Sequence, residues 1–446
     1  MTTPEPAVGL NRLFHETRWT HRQFAQAVNK AGTEQGMHLK YRQPSVHQWR
    51  MGHLPKRQVQ PLILDVLARK LGRPITYSEA GFPAPAGQSN SHPGTVDGLI
   101  DLGRADMDPS RRSVLGAGLF SVALTIPNWP DVVGRMEAAQ VGTVQAMGMT
   151  DVNTVIAMTE RISELDDQFG GRHARPMAAA FLINTVAVYL KTEAPEPVRK
   201  AMMSAASDLC YLTGYMAVDE GLHNVAQQYY VKALELAGAA EDHLTYCTTL
   251  RGMSVQAVNL GHGQAAMRLA DAAAAASPQA GPRMRAFLAG QQAHSAAKVG
   301  HRTEALARLR EAEVAMDQAE SQEKTFGSYD PAALSYHTSE VRYELGDLTG
   351  SIAAMQQAGK LRHTVYRRTR VHHQALLAER QLQVGHLEAA CATWRNVLDD
   401  YPLVHSARAD ERMHTMLTSL RPHLKNNTAR ALYEHARTTI PHTALA

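Results

Sequence analysis

The chain has 446 residues, 44% of them hydrophobic, 20% charged and only 6% aromatic. That length is too great for one ordinary core, and the balance excludes disordered and fibrous classes in favour of an Ala-rich helical protein of two to four units. Its net charge of +4 is unevenly placed: residues 1–80 hold 12 Lys and Arg against 5 Asp and Glu, a net +7, and the remainder holds 34 against 37, a net −3. A positive field gathered on one small domain is what a phosphate backbone attracts.

After a polar tail at residues 1–8, the segment Gly9–Leu71 is predicted to form four or five short helices. Leu10, Leu13 and Phe14 begin the first apolar face. Thr20 suits an N-cap, and Phe24, Ala25 and Val28 repeat at helical spacing. Gly32–Lys40 is polar and Gly-punctuated, so a loop is expected there. A short reading helix beginning near Ser45 should follow, with Val46 and Trp49 in the core and Gly52–Pro55 as its stop. Pro61 fits a first helical turn, and Leu62, Ile63, Val66, Leu67 and Leu71 close the small core. The pattern is that of a helix-turn-helix. Gln43, Ser45, His47, Gln48 and Arg50 are the candidate base-contacting residues, because Gln and Arg can pair with adenine or guanine edges. Lys40, Tyr41, Arg42, Lys56 and Arg57 flank the helix and suit phosphate contacts.

Residues 81–112 change to Pro, Gly, Ser, Asn and Asp, the composition of a linker or irregular docking arm. Arg111 and Arg112 then precede a small-residue apolar stretch to Ile126, which imitates a twin-arginine export signal. It stands behind a predicted folded domain, so an internal helix or docking segment is expected; export would require cleavage shortly after Ile126.

From residue 113 to the C-terminus helical periodicity is nearly continuous, and it is repetitive. Gly221, Gly261, Gly300, Gly346 and Gly385 recur at intervals of 40, 39, 46 and 39 residues. Five positions after each stands Ala226, Ala266, Ala305, Ser351 or Ala390. Four further on stands Tyr230, Ala270, Leu309, Met355 or Trp394, and three beyond that Ala233, Ala273, Ala312, Ala358 or Val397. A glycine turns the chain between paired helices, a small residue lets them approach and a larger one fills the gap, which is the logic of a tetratricopeptide-like superhelix. The usual first-helix glycine survives only as Gly214.

No phosphate loop, dinucleotide fingerprint, zinc-protease or nucleophile-elbow motif occurs, and two Ser-x-x-Lys runs, Ser295–Lys298 and Ser321–Lys324, stand without their companion motifs. A non-enzyme without cofactor or metal is therefore expected. The adjacent His372 and His373 make a poor metal pair, since neighbours on a helix point about 100° apart. Cys210, Cys247 and Cys391 lie far apart and suggest buried, reduced thiols in a cytoplasmic chain. No run approaches the roughly 20 apolar residues of a membrane span, so no membrane partner is expected. In the repeats, Arg362, His363, Arg367, Arg368 and Arg370, with Lys360 nearby, form a cationic cluster that could receive an acidic peptide or a phosphate-bearing ligand.

The run LKYRQPSVHQWRMGHLPKRQVQPLILDVLARKLGRPIT resembles the DNA-binding end of an actinobacterial group of phage-repressor-like regulators that also carry tetratricopeptide-like regions, and Leu212–Ala237 resembles the same group. The resemblance implies a cytoplasmic, homodimeric transcription regulator that binds double-stranded DNA and takes a peptide or small-molecule signal in its repeat groove. The sequence departs from the compact pattern in the long loop Gly32–Lys40. The expectation is thus an all-α protein: a helix-turn-helix domain at 1–80, a linker at 81–112, and a sensing and dimerising repeat domain at 113–446. The competing expectation is an interaction scaffold whose basic domain contacts proteins instead of DNA.

Overall fold

A computed structural model describes residues 8–33, 39–71, 75, 79–83, 94–107, 147–319 and 329–440. Every described element is helical, and the described residues divide into two compact units, one up to residue 83 and one from Gly94 onward. The twin-arginine segment, Ser321–Lys324 and residues 34–38 of the expected loop lie outside the described residues.

The N-terminal unit holds α1 (Val8–Thr17), α2 (His21–Thr33), α3 (Gln43–Arg50) and α4 (Gln60–Leu71). Thr20 caps α2 reciprocally: Gln23 N–H donates to its hydroxyl (3.3 Å) while Thr20 N–H donates to the Gln23 side-chain carbonyl (2.9 Å), a capping box. Leu10, Leu13, Phe14, Phe24, Val28, Val46, Trp49, Leu62, Ile63 and Leu67 form one core. Two expected boundaries move. Helix α3 starts at Gln43, two residues before Ser45, because Pro44 is pre-set for a first helical turn. The unit also extends past residue 80, since Ala80 and Phe82 are buried in the same core.

The second unit begins with α5 (Thr95–Met107), inside the stretch expected to be a linker. Val96, Leu99 and Leu102 give it a buried stripe, and at its end the buried Asp106 accepts from the Arg175 guanidinium and from the Tyr229 hydroxyl (3.1 Å). Two turns of apolar spacing were hidden there behind the Pro- and Ser-rich residues that precede them. Then come α6 (Met149–Phe169) and α7 (Gly171–Phe181), which continues through a π turn at Leu182–Val186 to Leu190.

Five helical hairpins follow. They are α8 (Glu196–Asp219) with α9 (His223–Ala240), α10 (His243–Asn259) with α11 (Gly263–Ala276), α12 (Pro282–Lys298) with α13 (Arg302–Asp317), α14 (Pro331–Glu344) with α15 (Leu348–Leu361), and α16 (Arg367–Gln383) with α17 (Leu387–Asp400). A last pair, α18 (Ala407–Leu420) and α19 (Asn427–Thr439), packs on the fifth. All five repeat glycines sit at the hairpin turns with φ between 72° and 84°. Each is followed by a 6→1 bond, as from His301 N–H to the Ala296 carbonyl (2.9 Å), the Schellman stop that glycine favours. The small residues five positions on are fully buried, and so are the Ala or Val residues seven beyond those. Gly214 keeps its first-helix role, because a Cβ there would stand 2.9 Å from the Tyr230 ring.

The array closes on itself. Helix α6 packs against α16, and the N-terminus of α7 meets residues 405–410. There Arg368 bonds Asp166 (3.0 Å) and Asp167 (3.3 Å) and lies 3.8 Å from Asp219, while His405 N–H donates to the Phe169 carbonyl (2.6 Å) and Arg172 pairs with Asp410 (3.0 Å).

At Gly300 φ is +81° and a Cβ would meet nothing within 4 Å, so only backbone strain opposes a side chain. Gly300→Ala should cost about 1 kcal/mol in urea denaturation, and Gly300→Asn less, because Asn tolerates the left-handed region. Equal stability of all three proteins would contradict this reading of the turn.

Candidate nucleic-acid interface and candidate ligand recess

In the N-terminal unit, α3 turns Val46 and Trp49 into the core, which leaves Gln43, His47 and Gln48 exposed and Ser45 half-buried. Lys40, Arg42, Lys56 and Arg57 are exposed on either side. Two sequence candidates, Arg50 and Tyr41, are engaged within the unit. Arg50 turns inward: its guanidinium donates to Asn11 (2.8 Å), His21 (2.6 Å) and His15 (3.0 Å) and lies 4.5 Å above the Phe14 ring. It ties α3 to α1 and α2 instead of standing free to read a base. Burial lowers the His21 pKa, helped by the charge of Arg50, so the ring stays a neutral acceptor. Tyr41 is held by backbone bonds to Asn29 (2.9 Å each way) and packs edge-on against Trp49 at 4.9 Å. Its backbone and ring are thereby fixed beside α3, with the side chain half-buried.

The cationic cluster of the repeats is divided: Lys360, Arg362 and Arg370 line one groove between α15 and α16, and the others lie apart from it. Arg370 makes a two-pronged bond to Asp400 (2.6 and 2.7 Å), and Arg367 lies 3.6 Å from the same carboxylate. Arg368 is buried in the closing contact, and His363 is exposed in the turn before α16. Of the five, Arg362 and Arg368 face an interior recess. Ser295 is sealed in α12 beside Ser254 (3.1 Å), and Lys298 is engaged by Glu344 (2.7 Å), so this Ser-x-x-Lys run forms no nucleophile and base pair.

The recess is partly enclosed because the array closes. Its two lobes, of about 110 and 100 Å³, share the walls Tyr215, Arg251, Arg368 and Thr369. Arg251 donates to His337 (3.2 Å) and covers the Phe287 ring at 4.2 Å; Tyr329 bonds the other nitrogen of that histidine at 2.9 Å. Tyr336 stacks on His373, with centroids 4.1 Å apart. Burial, reinforced by Arg251 at His337 and Arg408 at His372, holds the pKa of His337, His372 and His373 well below the usual histidine range. Among the described residues no metal-binding group of His, Cys, Asp and Glu occurs, the three cysteines are buried and free, and no helix is long and apolar enough to cross a membrane.

Sequence reasoning missed most of this recess, although a signal was present. The residues ten positions before four of the turn glycines are Tyr211, Arg251, Gly290 and Tyr336, and three of these line it. Six before the first three glycines stand Tyr215, Val255 and, in the third hairpin, His294, all lining residues.

Residues 10–83 match the sequence model of a family described as the SP15 N-terminal domain. No curated protein sequence matches the chain. Among solved structures, it is similar to the crystal structure of the APC/C hetero-tetramer Cut9–Hcn1 at 14% identity, over 96% of this chain and 68% of that one, with a TM-score of 0.31. The hairpins described above stand independently of that likeness.

The interior groups have opposed pH signatures. A histidine held neutral stabilises the fold above its unfolded pKa, and that contribution is lost as pH falls. Burial raises the pKa of Asp208 to about 7, so its protonated form favours the fold and its contribution grows as pH falls from 7 towards 4. Between pH 7 and 5, His372→Gln should lose less stability than wild type, the gap widening by up to about 1.4 kcal/mol per pH unit. Asp208→Asn should lose more than wild type. Parallel stability curves for all three proteins would contradict the assignment.

Proposed function

We propose that the chain is a helical-repeat interaction protein whose N-terminal unit docks on double-stranded DNA, so that it acts as a transcription regulator. The observation that carries this reading is the outer face of α3, where Gln43, His47 and Gln48 are exposed between Lys40 and Arg42 on one side and Lys56 and Arg57 on the other. Side-chain amides can read base edges in the major groove, and the flanking cations can neutralise phosphates and fix the docking register. A homodimer would place two such faces on two half-sites about one duplex turn apart. A signal held by the repeat unit would alter their spacing.

The second reading is a scaffold that binds proteins through its repeats and does not touch DNA. It is favoured by Arg50, whose guanidinium is occupied by Asn11, His15 and His21 and so is withdrawn from base contact.

Binding to a selected duplex, measured against salt concentration, separates the two. Under the first reading affinity falls steeply with salt, Lys56→Ala and Arg57→Ala each reduce the slope by about 1, and Gln48→Ala costs about 1–3 kcal/mol with relaxed sequence preference. Arg50→Ala should act through the stability of the N-terminal unit. Failure of the intact chain to bind any duplex at low salt would leave the scaffold reading.

A further inference from the structure

We propose that the interior recess of the repeat unit is a binding site for a small oxyanion, a carboxylate or phosphate that also carries a hydrogen-bond donor. This deepens the signal-holding role given to the repeats above. It stands apart from the DNA reading, because its test needs no DNA.

The first ground is charge. Arg251 and Arg408 both line the recess, and neither has a carboxylate partner within salt-bridge distance among the described residues. The other lining cations are matched: Arg368 meets three aspartates, and Arg362 lies 3.7 Å from Asp330. The histidines bring no charge, since burial keeps them neutral at ordinary pH. Two guanidinium groups thus face a partly desolvated space without an anion, an arrangement that costs stability until an oxyanion fills it.

Unspent hydrogen-bonding capacity is the second ground. Gln291 is fully buried and lines the same lobe; its amide nitrogen donates to Ser254 (3.0 Å) and Ser295 (3.2 Å), which leaves its carbonyl oxygen without a partner. His372 Nδ1, on the facing helix α16, is also buried without a partner. A purely apolar molecule leaves this oxygen unsatisfied and a bare cation is repelled by Arg251 and Arg408, whereas a hydroxyl- or amino-bearing anion satisfies both.

Size is the third. The lobes are small, about 110 and 100 Å³, below the roughly 300–1,000 Å³ of drug-sized sites, so they suit a small oxyanion and not an extended peptide. The lobe lined by Arg251 and Arg408 takes its walls from α8, α10, α12, α14, α16 and α18, so a ligand there would link successive first helices of the array.

The test uses the full chain, with inorganic phosphate, 4-hydroxybenzoate and the neutral 4-hydroxybenzyl alcohol as probes, read by thermal shift and titration calorimetry. At least one anion should raise the melting temperature while the alcohol does not. Arg251→Met and Arg408→Met should each weaken that binding at least about tenfold and, without any probe, should melt no lower than wild type, which separates loss of binding from loss of folding. Stabilisation by phosphate alone would assign a phosphate-bearing ligand, and by 4-hydroxybenzoate alone a carboxylate. The proposal is overturned if neither anion binds, if the alcohol binds equally well, or if both variants bind as wild type does.

Discussion

The repeat unit depends on one buried cation. Arg368 stands on α16 with a side chain 9% exposed, and it reaches across the closure to Asp166, Asp167 and Asp219, with Tyr215 beneath it at 5.2 Å. A guanidinium in such a place is tolerable only when its donors are engaged. The three carboxylates over-compensate it, and burial relieves the excess by raising the Asp166 pKa to about 7. Because that contact joins residues some 200 positions apart in sequence, it turns a linear stack of hairpins into an enclosure. The bonds of His405 to Phe169 and of Arg172 to Asp410 cross the same closure beside it.

Closure changes what the repeats can do. A stack of hairpins presents a concave surface to extended partners, but here the inner helices face one another across a small, lined space. Their first-helix side chains are aromatic, basic and histidine-rich, not the aliphatic residues that would fill a core. Polar groups at that depth lower stability unless they are satisfied. Many of them satisfy one another, as Arg251 and Tyr329 do through His337. The N-terminal unit has the opposite economy: its core is conventional, and its polar residues are spread on the outside of α3.

Much of the fold was legible because backbone requirements leave strong marks. A left-handed turn needs glycine, and close helix approach needs a small residue. Gly300 with Ala305 and Ala312 could therefore be placed in a hairpin from spacing alone, and Trp49 and Val46 could be assigned to a core from helical period. Helix α5 was obscured because its polar end, Asp106, is buried only through Arg175 and Tyr229, partners distant in the chain. The candidate sites were less legible for the same reason. Arg50 reads as an exposed helix cation until Asn11, His15 and His21 are brought to it. Arg367, Arg368 and Arg370 read as one basic patch until Asp400 and Asp166 divide them. Charge along a sequence shows where cations are, and only the tertiary fold shows which of them are already spent.

The most direct test of the closure is a distance across it. Spin labels at Asn153 on α6 and Arg395 on α17, both exposed, can be introduced as cysteines because the native thiols are buried. Electron–electron resonance should give one narrow distance distribution in the otherwise wild-type chain and a broad, longer one when Arg368 is replaced by Met. The same narrow distribution in both proteins would show that the array closes without Arg368 and would contradict the central claim.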